Sequence, residues 1–319
     1  MALQVVSLGD LVADLIVPIA SLPLRPEEHQ VARDILIEAG GTGNFLVLAA
    51  RLGMHAKALG VVGQDFYGEQ VRAVLRQEGV DLDSVVVPPR SRTTTSIVLV
   101  DDAARHVFVW MRGTGEQQSF NPAWRPLVEH VDAIFTTGYA LQPTATFAPT
   151  AVKTCLAIAH AQTTPVFFDL GPAAVHINRA DINAVISQTT VFLATKEELS
   201  AWTGTDDPRR AAGQLLAQGP SMIIVKLGSR GCLIVTAEQH ALIDPFRVAV
   251  RNTAGAGDAF SAACVYGYLQ AFSLDQIGLF ANAVGAASVA KLGTGTCLPQ
   301  KQEIALLLAE HGHAFFEGQ

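Results

Sequence analysis

Short, nearly unbroken apolar runs alternate along the chain with stretches in which apolar residues recur every three or four positions. Val5 to Leu8 forms the first such run and ends at Gly9-Asp10. Asn44 to Leu52 is apolar nearly all round and stops at Gly53, as a buried helix with a glycine terminus does. Ala56 to Val62 follows as a strand, and Tyr67, Val71, Val74 and Leu75 then fall at helical spacing. Further strands are predicted at Ala133–Thr136, Pro165–Asp169, Val191–Leu193 and Met222–Lys226, with helical segments between most of them. Unbroken apolar strands alternating with helices predict a mostly parallel sheet covered on both faces.

Two regions break this rhythm. Ser96–Val100 and His106–Trp110 flank the polar stretch Asp101 to Arg105 in a hairpin pattern, and Leu15–Ala20 and Val31–Glu38 form a second candidate pair. Together they predict a small antiparallel sheet at the periphery, suited to close over a cleft. The polar tail from His311 is expected to fray, and a metal site at His311 and His313 is disfavoured against a solvated terminus.

Composition narrows the function. Of 319 residues, 50% are hydrophobic and 16% charged, enough for a large core. The net charge of −7 disfavours a nucleic acid or an anionic membrane as the main partner, but not a nucleotide held by amides and a few cations. Cys155, Cys232, Cys264 and Cys297 are scattered without metal-ligand spacing and read as buried thiols of a reducing compartment. The N-terminus carries no signal-peptide pattern, and Asp258 and Asp275 interrupt the apolar stretch after Ala254, so no membrane span is expected there. A soluble cytoplasmic protein is expected.

The most informative segment is Arg251-Asn252-Thr253-Ala254-Gly255-Ala256-Gly257-Asp258. After it, Phe260, Ala263, Cys264, Gly267, Tyr268 and Ala271 fall on one helical face, so the glycines open a helix. Free N–H groups and the positive end of the helix dipole favour an anion there, and glycine lets it come close. Asp258 stands in the first turn. It either complements the dipole of a tight turn or accepts the proton of an attacking hydroxyl while the amides hold a phosphoryl group. Neither the P-loop pattern nor G-x-G-x-x-G is matched here.

This segment resembles the D-T-x-G-A-G-D signature of the ribokinase, or PfkB-type, carbohydrate kinases. Three further segments match in order: Gly9-Asp10-Leu11-Val12-Ala13-Asp14, Ala39-Gly40-Gly41-Thr42-Gly43-Asn44, and Lys226-Leu227-Gly228-Ser229-Arg230-Gly231. The resemblance implies one α/β domain over residues 1–319, a three-layer sandwich with a β lid from about 15–38 and 92–112. It implies an ATP- and Mg²⁺-dependent kinase for a ribose-, fructose- or 2-keto-3-deoxygluconate-like sugar. Asp258 would be the base and the Gly255, Ala256 and Gly257 amides the anion hole. Asp14, Gly40, Gly41 and Asn44 would hold the substrate, and Lys226, Gly228 and Asn282 the nucleotide. Pairing of two copies through the lid, seen in part of the family, is a further expectation.

The chain departs from the pattern in three places. Asn252 replaces an aspartate that helps bind a monovalent cation in potassium-dependent members, so it offers an oxygen without charge. Thr195 replaces the asparagine of N-x-x-E, leaving Glu198 to organise Mg²⁺ through water or to serve as the polar face of a helix. Val12 stands where ribose-specific members carry a polar residue. Two alternatives remain at this stage. A nucleoside kinase would use Phe108, Trp110 and Tyr139 as an aromatic pocket, and a sensor would bind without turnover. Arg105 or Arg112 would serve a carboxylated substrate.

Overall fold

The computed structural model describes residues 2–32 and 34–317. The chain runs β1 (Gln4–Asp10), β2 (Val12–Ile19), β3 (Leu36–Gly40), α1 (Thr42–Arg51), β4 (His55–Val61), α2 (Phe66–Gln77) and β5 (Asp81–Val86). It continues with β6 (Thr94–Asp101), β7 (His106–Met111), α3 (Arg125–Glu129), β8 (Ala133–Thr137), α4 (Pro149–Ala161), β9 (Val166–Asp169) and α5 (Arg179–Ile186). The last part is β10 (Val191–Thr195), α6 (Lys196–Thr203), α7 (Pro208–Leu216), β11 (Met222–Lys226), β12 (Cys232–Thr236), β13 (His240–Ile243), α8 (Ala256–Leu269), α9 (Leu274–Val289) and α10 (Lys301–Glu310).

Nine strands form one sheet in the order β13-β12-β11-β10-β9-β8-β1-β4-β5. Neighbours from β11 to β5 are parallel, and β12 and β13 add an antiparallel edge. The pleat sends alternate side chains to opposite faces. Val5, Phe167, Val191, Leu193 and Ile224 join a core built with α1, α2, α8, α9 and α10. Val6, Phe168, Phe192, Ile223 and Val225 join a second core beneath α4 to α7. Both faces are dry, which is why the central strands read as unbroken apolar runs. On the first face Phe45 of α1 stacks on Phe135 of β8, ring centroids 4.0 Å apart.

The smaller sheet has the order β3-β2-β6-β7. It is mixed, not antiparallel as expected: β2 and β6 run parallel, from Val12 beside Thr94 to Ile19 beside Asp101. The chain between them passes through β3, α1, β4, α2 and β5, the long crossover that parallel pairing requires. The second candidate strand, Val31–Glu38, is reduced to Leu36–Gly40, because the Pro- and charge-rich stretch before it supplies no alternating apolar face.

Two other expectations change. Helix α8 is not amphipathic: it is buried nearly all round, with Ala259, Ser261, Ala262 and Val265 as hidden as the expected Phe260, Ala263 and Cys264. It lies between α1 and α9, so neighbours cover both flanks. The described part of the tail is packed down: Phe316 is buried with its ring tilted against Phe280, while His311 and His313 pack edge-on against Phe246. Among the described residues no group of three His, Cys, Asp or Glu side chains is placed to hold a metal ion. Nor, among them, is any helix long and apolar enough to cross a membrane.

Candidate active site

The carboxyl ends of the parallel strands and the inner face of the small sheet enclose a cleft of about 350 Å³. Open α/β sheets bind ligands at this rim, where successive βα turns leave space between them. Gly255, Gly257 and Asp258 of the α8 turn meet Asp14 of β2, Asn44 of α1 and Lys226 of β11 in the cleft wall. Residues far apart in sequence therefore converge as the motifs imply.

On one side stands Asp14, buried at 6% exposure, with its carboxylate lying over Gly40. A Cβ at Gly40 would come within 2.1 Å of the Asp14 carboxyl carbon, so this glycine makes the room the carboxylate occupies. Thr294 donates its hydroxyl to Asp14 at 3.2 Å. Burial pushes the Asp14 carboxyl up to about 7, helped by Glu38 and opposed by Thr294. Gly41, at a φ of 53°, caps α1 and brings Asn44 into its first turn. Asn44 donates Nδ2 to Asp258 at 3.1 Å and accepts from the Gly295 amide at 2.8 Å.

Asp258 lies in the first turn of α8, which opens from Gly255 in the left-handed region at a φ of 75°. A side chain at Gly255 would be strained there and would stand 3.1 Å from the Asn44 amide group. Burial, reinforced by Asp169 and Asp14, raises the Asp258 carboxyl to about 7, against the opposing Asn44 hydrogen bond and Lys226 charge. A carboxylate balanced near neutrality beside helix N-terminal amides suits proton acceptance. Ala256 does not line the cleft, and its amide makes a long 3.4 Å contact with the Thr253 carbonyl.

The far side is built from strand ends. Asp169 closes β9 and Lys226 closes β11, and their side chains pair at 2.5 Å. Ser261 of α8 donates to the same Asp169 oxygen at 2.8 Å, while Oδ1 is buried without a protein partner. Glu198 is drawn into a capping box: it accepts from the Thr195 amide at 2.8 Å, and Thr195 Oγ1 accepts from the Glu198 amide at 3.2 Å. The threonine that departs from the family pattern thus starts α6 and holds Glu198 at the cleft. Thr195→Ala should cost about 1 kcal/mol of stability, roughly a 2 °C fall in Tm on thermal melting. An unchanged Tm would mean the box adds nothing.

Other expected residues lie elsewhere. Asn252 is buried at 1% exposure and spends its amide on the turn, donating to the Gly293 carbonyl and accepting from the Ala254 amide, each at 3.1 Å. Asn282 donates to the carbonyls of Ile243 and Asp244, and neither it nor Gly228 lines the cleft. Arg105 is paired to Asp101 at 2.6 Å, away from the cleft. Arg112 does line it, with its guanidinium 5.0 Å from the Trp110 ring. Phe108 and Trp110, two apart on β7, both face the cleft.

Two cleft carboxylates are given no role by the sequence, although Asp10 stands in the first matching segment. Asp10 accepts from the Thr146 amide at 2.8 Å and the Phe147 amide at 2.6 Å, fastening that loop to β1; burial raises its carboxyl to about 6 against those bonds. Asp169 ends the apolar run Phe167-Phe168. A charge closing a buried parallel strand was the available signal in both cases.

A mostly parallel nine-stranded sheet, a small second sheet and an aspartate at a glycine-opened helix define the ribokinase-fold class of sugar and nucleoside kinases. The pfkB family carbohydrate kinase profile matches residues 2–301, and the chain belongs to that family. An uncharacterised sugar kinase of Archaeoglobus fulgidus is 27% identical over 257 residues, covering 79% of this chain and 98% of the relative. The structure of Arabidopsis thaliana ribokinase complexed with ribose and ATP superposes with a TM-score of 0.82 at 22% identity, covering 97% of this chain and 99% of that one. The structure of fructokinase with bound ATP from Xylella fastidiosa gives 0.81 at 21% identity, covering 97% of this chain and 99% of that one.

Proposed function

We propose that this enzyme transfers the γ-phosphoryl group of ATP to a hydroxyl of a small sugar or sugar acid. The observation that carries the reading is the place of Asp258, between the Asp14–Asn44 side and the Lys226–Asp169 side of one cleft, with its carboxyl near neutrality. Asp14 and Asn44 hold acceptor hydroxyls, with Gly40 and Gly41 giving them room. Asp258 takes the proton as the acceptor oxygen bonds to the γ-phosphorus and the bond to the β–γ bridging oxygen breaks. The Gly255–Gly257 turn faces the charge that develops. Closure of the small sheet over the cleft excludes water, the competing acceptor.

The donors near Lys226 fit Mg²⁺, because Asp169 Oδ1 is an orphaned buried oxygen and Glu198 lines the same wall. Held by these two carboxylates and by phosphate oxygens, Mg²⁺ would neutralise nucleotide charge. We assign Asn252 to bracing the turn, not to a monovalent cation, since its amide is already engaged at both ends. Gly228 is kept on the nucleotide side because its turn directly follows Lys226, whereas Asn282 is assigned to bracing the chain at Ile243 and Asp244. A second copy is expected on the small sheet, because β7 is its edge and Val107, Val109 and Met111 on it are exposed. A monomer in sedimentation would remove that assembly. Consumption of ATP fits a cytoplasmic enzyme.

A nucleoside is the second reading. Phe108, Trp110 and Tyr139 line the cleft half-exposed, as an aromatic base would require. ADP release with Mg-ATP over ketoses, aldoses, keto-deoxy acids and nucleosides separates the two readings, and ATP binding without turnover on any of them would leave a sensor. Arg112 has no acidic partner among the described residues. If the acceptor is a sugar acid, Arg112→Ala should lower its kcat/KM about tenfold or more, the worth of a charged hydrogen bond. Neutral sugars should be unaffected, and equal loss on both would reject Arg112 as the carboxylate contact.

A further inference from the structure

The cleft has an imbalance of charge. Asp10, Asp14, Asp169, Glu198 and Asp258 line it, against Arg112 and Lys226 as its two cations among the described residues. Arg112 sits on the small-sheet side over Trp110. The wall with the glycine turn therefore has one ammonium to offer a polyanion. That ammonium is close to the turn: a Cβ added to Gly257 would stand 3.6 Å from Lys226 Nζ. It is also held in reserve. Its partner, Asp169, already receives the Ser261 hydroxyl, so the carboxylate keeps a donor when the lysine swings away.

We propose that Lys226 is a catalytic residue, whose ammonium leaves Asp169 to bind the equatorial oxygens of the phosphoryl group as it passes from ATP to the acceptor. This rests on the kinase reading above and deepens it. The bonds made and broken are those already given: the acceptor oxygen joins phosphorus, the electron pair of the broken bond leaves on ADP, and the proton goes to Asp258. Lys226 stays protonated throughout and supplies charge alone. While it is paired with Asp169, burial opposes its charge, and Asp169, Glu198 and Asp258 together favour it; after the move the phosphoryl oxygens take over the part of Asp169. The transferring group carries its charge on oxygens at the mouth of the α8 turn, so a cation there lowers the barrier more than it tightens ATP binding.

The test is steady-state kinetics of the full chain with ATP varied at saturating acceptor, comparing native protein, Lys226→Met, Lys226→Arg and Asp258→Asn. Lys226→Met should lose about 10²- to 10³-fold in kcat with little change in KM for ATP, and Lys226→Arg should recover part of the loss. An increase in KM with kcat retained would make Lys226 a holder of bound nucleotide and overturn the proposal. So would a loss that shrinks steadily as pH rises above neutrality, because Lys226 would then act only by lowering the Asp258 carboxyl and keeping it ionised. If Lys226→Met leaves Asp169 unpaired and does not fold, the neutral pair Asp169→Asn with Lys226→Met replaces it and is read against Asp169→Asn alone, and equal kcat in those two also overturns the proposal. Full kcat in Lys226→Met beside a dead Asp258→Asn would sink this inference alone. A native protein that phosphorylates no acceptor would sink the kinase reading with it.

Discussion

Asp258→Asn is expected to lower kcat by about 10²- to 10⁴-fold, the range of a general base, or roughly 3–5 kcal/mol of barrier. The amide matches the carboxylate in size and still meets Asn44, which donates at 3.1 Å in the native protein. Binding of ATP and of the acceptor should therefore persist. In the native enzyme kcat/KM should fall as pH drops through about 7, because the Asp258 carboxyl, raised mainly by burial, must be ionised to accept a proton. The stability effect has the opposite sense. A carboxyl whose folded pKa is raised stabilises the fold at low pH, and that contribution is lost as pH rises from about 4 through about 7. Asp258→Asn removes this share, so above pH 7 the variant should melt at or above the native temperature. A variant that turns over normally, or one that loses activity because it melts early, would each break the assignment.

Asp14→Asn is expected to lower kcat/KM for the acceptor by about 10- to 100-fold, the worth of hydrogen bonds to a charged group. Most of the loss should appear in KM, since Asp14 holds hydroxyls that do not react. The variant has a second signature. Asp14 raises the Asp258 carboxyl through their mutual repulsion, so removing its charge should move the acid limb of the rate profile to lower pH. Loss of folding alone would not shift that limb. The space is tight enough that Asp14→Glu should do no better: the carboxylate lies against Gly40 and meets Thr294 at 3.2 Å. An acceptor KM unchanged in Asp14→Asn would remove Asp14 from the substrate site.

The central sheet is legible in the sequence because its strands are dry on both faces. Met222–Lys226 appears with the same limits in both, and Ala133, Val191 and Asp169 mark strand ends correctly. The small sheet is read less well. Its pairing depends on a crossover through five other elements, and no local pattern records which strands will meet. The same limit applies at the site. The α8 turn, Asp14 and Asn44 carry recognisable spacing, and they do converge. Asp169 carries none, because a lone aspartate after an apolar run looks like any turn until the sheet brings the strand ends together, and Asp10 is passed over inside its own segment in favour of Asp14. Asn252 and Asn282 illustrate the reverse: the resemblance names both as site residues, but their side chains turn to backbone carbonyls. Thr195 shows how a departure is absorbed, since a threonine can cap α6 and keep Glu198 at the cleft.

The most direct measurement is mass spectrometry of an acceptor pool incubated with Mg-ATP and either native protein or Asp258→Asn, with ADP and inorganic phosphate quantified together. The expected result is a phosphorylated acceptor equal in amount to ADP from the native protein, and almost none from the variant. ADP matched by free phosphate alone, or equal product from both proteins, would contradict a transfer in which Asp258 is the base.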